Sequence, residues 1–183
     1  MVALVPEKQG PWIFTDLQQL PETHLRYEIL DGSLLMSPAP NLRHEFVLAR
    51  LRTIIGRAIG DEVVAFANIA IDLDPSFFIP DLTLAAVSDV DPAADKLAPE
   101  HALLVVEAVS KSSRSADRIL KPAHYAAAGI PAYWRIESEG RISLTAYALR
   151  TGRYEELGTW TEGETARISE PFEIEIPIND LVP

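Results

Sequence analysis

The sequence predicts an α/β or α+β chain: a mixed central sheet flanked by helices, with additional antiparallel strands toward the C-terminus. Three stretches carry that expectation. Residues 102–109, ALLVVEAV, are apolar on both alternating faces, as a strand covered from both sides requires. Residues 42–60 place Val47, Leu51, Ile54, Ile55 and Ala58 at helical spacing. Near the end, Phe172, Ile174, Ile176 and Ile178 alternate with Glu173, Glu175 and Pro177, one face in and one face out.

The remaining elements follow in chain order. Thr15 is placed to cap a short helical stretch reaching about Leu20. Two apolar runs, LRYEIL and SLLM, flank Asp31-Gly32, a pair that accepts the positive φ of a type I′ turn and so marks a hairpin. Asn41 is placed to cap the helix over 42–60. One strand is expected over 62–73 and another over 82–87, entered through Pro80-Asp81, because proline is tolerated where no ladder donor is needed. A helix should run over 117–128 and stop at Gly129, with Pro122 either near its opening or at a kink. Strands AYWRIE, ISLTAYAL and RYEELG follow, the last two joined at Thr151-Gly152. No repeat or linker divides the chain, so residues 1–183 are expected to form one domain.

Composition narrows the chemistry. The 183 residues include no cysteine, so a metal would have to sit on Asp, Glu or His, which favours hard ions such as Mg²⁺ or Mn²⁺. The apolar run before Pro6 is too short for a signal-peptide core or a membrane span, and the expected location is cytoplasmic. A formal charge of −11 argues against a protein that coats nucleic acid by general phosphate attraction. A local excess of positive charge is confined to two windows. Residues 42–59 carry Arg43, Arg50, Arg52 and Arg57 against Glu45, and 111–121 carry Lys111, Arg114, Arg118 and Lys121 against Asp117. Arg43, Lys111, Arg114 and Arg118 are the candidate phosphate contacts, although ordinary solvated faces would look the same.

Glu107 interrupts the two-sided apolar strand, where an ionised carboxylate without a partner costs several kcal/mol, on the order of 3–5. That cost points to a metal or a cation nearby; a structural salt bridge to an arginine, or a place near the strand's end that already reaches water, would account for it as well. Asp81 opens another strand, and Lys121 lies fourteen residues beyond Glu107. If the two strands are neighbours, both carboxylates can face one hard cation with an ammonium beside them, a set suited to phosphodiester hydrolysis. His44 falls on the apolar face of its helix, where it serves the core unless carboxylates converge on it.

These stretches also resemble a known family. RYEILDGSLLMSPAPNLRHE at 26–45, IPDLTL at 79–84, LLVVEAVSKSS at 103–113 and DRILKPAHYAAAGIPAYWRIE at 117–137 resemble, in that order, the Uma-two family of restriction-endonuclease-like proteins in the PD-(D/E)xK nuclease superfamily. The resemblance implies a restriction-endonuclease-like fold and Mg²⁺- or Mn²⁺-dependent DNA cleavage. It makes Asp81 and Glu107 metal-binding and Lys121 the catalytic lysine. The superfamily's plain lysine position, two residues after the acid, is Val109 here. Glu28 is implied as a further metal ligand and His44 as an accessory residue. One departure lies in the loop, where the family's Ser-Pro-Ser reads Ser110-Lys111-Ser112.

The acidic total turns the expected substrate toward single-stranded or structured DNA. The competing reading is a nuclease-fold module that binds nucleic acid or protein with little catalysis. Under the nuclease reading Lys121→Ala removes cleavage and leaves the fold intact. No membrane partner is expected, and exposed sheet edges leave room for a homodimer.

Overall fold

The computed structural model describes residues 8–110 and 116–183. Its elements in order are α1 (Phe14–Leu17), β1 (Leu25–Leu30), β2 (Ser33–Pro38), α2 (Leu42–Ala58), β3 (Val63–Ala67), β4 (Ala70–Asp72), β5 (Phe77–Phe78), β6 (Leu82–Ala86), β7 (Lys96–Leu97), β8 (Ala102–Val109), α3 (Lys121–Ala127), β9 (Ala132–Glu137), β10 (Ser143–Arg150), β11 (Arg153–Thr161), β12 (Thr165–Ile168) and β13 (Ile174–Pro177). A π-helical turn, Ala116–Leu120, leads into α3. The fold is α+β. A six-stranded sheet runs β11-β10-β9-β8-β6-β3, a five-stranded sheet β2-β1-β5-β4-β7, and β12 pairs with β13.

The six-stranded sheet is antiparallel except where β8 and β9 run parallel. A parallel pair cannot be closed by a tight turn, and the crossover through α3 supplies the return. Strand β8 is therefore central and covered on both faces. Leu104, Val106 and Ala108 join Val47, Leu48, Leu51 and Ile55 of α2 together with the β12–β13 ribbon. Val105 packs on the other side with Tyr125 of α3, Tyr133, and Ile71, Phe78 and Leu97 of the five-stranded sheet. Glu107 follows Val105 by two residues, so it enters this second core.

Several expectations hold to the residue. Asp31 and Gly32 adopt φ values of 47° and 76° and close the β1–β2 hairpin. A side chain on Gly32 would also meet Pro11, whose Cβ lies 2.6 Å from the position of an added Cβ. Asn41 caps α2 by accepting a hydrogen bond from the His44 amide at 2.9 Å. Gly129 ends α3 at φ 82°, and Pro122 sits in the first turn of α3, where its missing N–H costs nothing.

Others are corrected. Thr15 does not cap α1. Ile13 holds the cap position, and the Asp16 carboxylate reaches back to accept from its amide at 2.8 Å, leaving a helix of a single turn. The strand expected over 62–73 is two strands in different sheets. Asn68 between them takes φ 55°, a left-handed conformation that its short polar side chain tolerates. The helix expected over 117–128 begins as the wider π turn and becomes α-helical only at Lys121. Strands β5, β7 and β12 were not anticipated. No helix among the described residues is long and apolar enough to cross a membrane.

Candidate active site

Register brings the two key acids together. Leu82 of β6 stands opposite Val106 of β8, so one step outward Asp81 stands opposite Glu107. Directly opposed residues of an antiparallel pair project from one face with Cβ atoms about 4.5–5.5 Å apart. Both line one pocket of about 310 Å³, together with Arg26 and Glu28 of β1, His44 of α2, Asp117 and Lys121. Asp81 and Glu107 are 4% and 1% exposed, and Lys121 is 3% exposed.

Lys121 is the hub. Its Nζ donates to Glu28 Oε1 at 2.9 Å and to Glu107 Oε1 at 3.1 Å, and lies 3.6 Å from Asp117 Oδ1. Helical periodicity explains part of this. Asp117, Lys121 and Tyr125 are spaced by four, and Tyr125 adds a hydroxyl that donates to Glu107 Oε1 at 2.7 Å. Burial alone would lower the lysine's pKa, but Glu107, Glu28 and Asp117 more than reverse that and hold it above its ordinary value. Burial pushes the Glu107 carboxyl well above the usual carboxylate range. Lys121 opposes that push, while Asp117, Asp81 and Glu28 add to it.

Asp81 sits in a different setting. Its Oδ2 accepts from the Ala108 amide at 2.8 Å, and its Oδ1 accepts from Arg26 Nη1 at 3.0 Å. His44 Nε2 lies 3.0 Å from the Ala108 carbonyl and 3.3 Å from Asp81 Oδ2. A carbonyl only accepts, so Nε2 carries the hydrogen. Against the burial that raises it, His44, Arg26 and the Ala108 amide hold the Asp81 carboxyl below its usual value. His44 is raised in turn, burial opposing and Asp81 prevailing. A carboxylate does converge on this core histidine.

The expected phosphate contacts fare differently. Arg118 places Nε and Nη2 on both oxygens of Glu137, at 3.0 and 2.8 Å. Arg43 donates from Nε to the Ser138 carbonyl and from Nη2 to the Gly140 carbonyl, each at 2.8 Å, tying α2 to the turn after β9. Lys111 and Arg114 lie outside the described residues. Glu28, expected to help hold metal, meets Lys121 and accepts from the Ile79 amide at 2.8 Å through the same Oε1.

Sequence reasoning missed Arg26, Asp117 and Tyr125. Arg26 stands two residues before Glu28 on β1, hence on the same face, and the other two follow from the spacing around Lys121. Those alternations were the available signals.

The donor set suits a hard divalent ion. Asp81 and Glu107 offer oxygen, and among the described residues Lys121 and Tyr125 both meet Glu107 at Oε1. The described residues hold no cluster of three or more His, Asp and Glu ready to cage an ion. Mg²⁺ needs none, since it keeps several waters and is held by one or two carboxylates.

Next to the pocket, His124 of α3 joins the β1–β2 turn. Its Nδ1 lies 2.9 Å from the Leu120 carbonyl and its Nε2 2.9 Å from Asp31 Oδ1, so only the imidazolium satisfies both. Burial works against that charge, but Asp31 and Leu120 raise the pKa above its ordinary value. Hydrogen bonding from His124 lowers the Asp31 carboxyl. The histidine's contribution is present below about pH 6.5, its unfolded pKa, and is lost as pH rises through the raised folded value; the aspartate's is lost as pH falls through its lowered value. His124→Gln should therefore destabilise the protein in urea melts near pH 5.5 and have little effect at pH 9. Equal destabilisation at both would remove the ion pair from this account.

Comparison with known proteins now decides the family. The Uma2 family model, described as "Putative restriction endonuclease", matches residues 14–179. The chain belongs to the Uma2 family. The crystal structure of a "putative nuclease belonging to DUF820" from Anabaena variabilis ATCC 29413 aligns with a TM-score of 0.73, covering 93% of this chain and 97% of that one. At 18% identity that likeness establishes the fold. No curated protein matches. Membership in Uma2 places the chain among nuclease-like proteins, and each of the four stretches that carried the resemblance contributes to the pocket's lining.

Proposed function

We propose that this Uma2 protein hydrolyses DNA phosphodiester bonds with Mg²⁺ or Mn²⁺ at the Asp81–Glu107–Lys121 pocket. The observation that carries the proposal is the meeting, in one pocket, of two carboxylates opposed across β6 and β8 and one buried ammonium. Asp81 and Glu107 would hold the ion. When bound, such an ion supplies Lewis-acid polarisation of the phosphoryl group and makes water easier to deprotonate.

The residues themselves define the rest. Lys121, held above its ordinary pKa, stays an ammonium at neutral pH, so it acts through charge and position and not as a base. Glu28 fixes it from the far side. His44 and the Ala108 amide hold Asp81 in one orientation. Hydrolysis forms one bond from water oxygen to phosphorus, breaks one bridging P–O bond, and ends with a proton on the leaving oxygen. With −11 net charge and Arg43 and Arg118 engaged internally, single-stranded or structured DNA fits better than long duplex.

The test is incubation with single-stranded, duplex and hairpin oligonucleotides, with Mg²⁺, Mn²⁺ or chelator, comparing wild type with Asp81→Ala. Metal-dependent cleavage by wild type that falls at least about a hundredfold in the variant is expected. One observation favours the second reading, a binding module: Arg26 and Lys121 already sit on the two carboxylates. Nucleic-acid binding without cleavage, unchanged in Asp81→Ala, would select it.

A further inference from the structure

Among the described residues, Arg26 is the pocket cation with access to solvent. Its side chain is 20% exposed, whereas that of Lys121 is 4% exposed and enclosed by Glu28, Glu107 and Asp117. Arg26 has three anchors: Nη1 donates to the Ile79 carbonyl at 3.1 Å and to Asp81 Oδ1 at 3.0 Å, while Nη2 donates to Asn68 Oδ1. Asn68 is held for this. It takes the left-handed φ of 55° between β3 and β4, and its amide donates to the Asp81 carbonyl at 3.3 Å. The oxygen Arg26 takes on Asp81 is the one that His44 and the Ala108 amide leave open.

This arrangement has a consequence for any ion at Asp81. A divalent cation and a guanidinium cannot both sit closely on Oδ1 without strong repulsion. Moved off Asp81, Arg26 keeps the Ile79 and Asn68 anchors and remains at the pocket, with an N–H free toward its interior. A guanidinium so placed matches phosphate oxygens in geometry as well as charge.

We propose that Arg26 is an exchanging phosphate-binding residue: it covers Asp81 while no ion is bound, and passes to the substrate phosphodiester when an ion takes that carboxylate. This rests on the metal-dependent reading above and adds to it the residue that contacts substrate.

The test uses Mn²⁺ binding without DNA, by calorimetry, beside steady-state cleavage of a labelled single-stranded oligonucleotide. Arg26→Met should bind Mn²⁺ about tenfold more tightly, because a competing charge-assisted bond is gone, and raise KM about tenfold or more. Arg26→Lys should leave Mn²⁺ affinity within about threefold and still raise KM, since a point charge lacks the planar fork. Unchanged or weaker Mn²⁺ binding by Arg26→Met makes Arg26 a brace and overturns the inference. So does tighter binding with unchanged KM. If Arg26→Met does not fold, Arg26→Lys decides, an unchanged KM being the overturning result. Wild type that binds no Mn²⁺ ends the metal-dependent reading and this inference together, while wild type that binds and cleaves, with Arg26 variants behaving like it, ends only the inference.

Discussion

Lys121→Met should lose at least about a hundredfold in metal-dependent cleavage and about 3–5 kcal/mol of stability, the cost of leaving buried charge without its partner. Methionine keeps most of the stem volume, so packing is nearly constant and the missing ammonium is the variable. What it leaves behind is severe. Glu28 and Glu107 are 3% and 1% exposed, and both direct an oxygen to Nζ. Part of the loss should return when one acid is neutralised as well: Glu28→Gln/Lys121→Met should melt later in urea than Lys121→Met alone, while cleavage stays absent. A single variant as stable as wild type would mean that Lys121 is not the counter-ion of this cluster. Read from the sequence, the nuclease reading has Lys121→Ala remove cleavage and leave the fold intact. The burial of Lys121 changes that, and coupling between activity and stability is now the expected signature.

The outline of the fold could be read from local signals because those signals had local causes. The hairpin rests on Asp31-Gly32 and positive φ, α2 on Asn41 and the spacing of Val47, Leu51 and Ile55, and central β8 on its two apolar faces. The strand expected over 62–73 failed for a non-local cause. Nothing in 62–73 announces that the chain changes sheets at Asn68, since Ala70 and Ile71 look as suited to one sheet as to the other.

The candidate site divides in the same way. Glu107 could be named because a carboxylate is costly in a strand apolar on both faces, whereas Asp81 and Lys121 take their roles from the family resemblance. Their mutual geometry could not, since it depends on the β6–β8 register and on the crossover through α3. The restraining partners were harder still. Arg26 pairs across fifty-five residues of sequence with Asp81, and only the β1 alternation shared with Glu28 hinted at its face.

Glu107→Gln should separate function from stability in the opposite sense to Lys121→Met. The amide keeps the shape, an acceptor for the Tyr125 hydroxyl and for Lys121, and removes only the charge, while Glu28 still accepts from Lys121 at 2.9 Å. Cleavage should fall at least about a hundredfold, because one of two carboxylates able to hold the ion is gone. Stability should respond through pH. Burial, with Asp117, Asp81 and Glu28 adding to it, raises the folded-state pKa of Glu107 above its unfolded value despite Lys121. Between those two values the folded state binds more protons than the unfolded state, so wild type loses stability as pH rises through the window. Glutamine does not titrate and escapes that loss. In chelator, urea melts at pH 5 and pH 8 should show the difference, variant minus wild type, moving in favour of the variant as pH rises. A gap that stays constant or moves the other way would mean that Glu107 is comfortably ionised by Lys121 alone. The site would then hold no surplus negative charge for a divalent ion to relieve, and a stable, inactive, pH-flattened variant is the result that joins the burial of Glu107 to its chemistry.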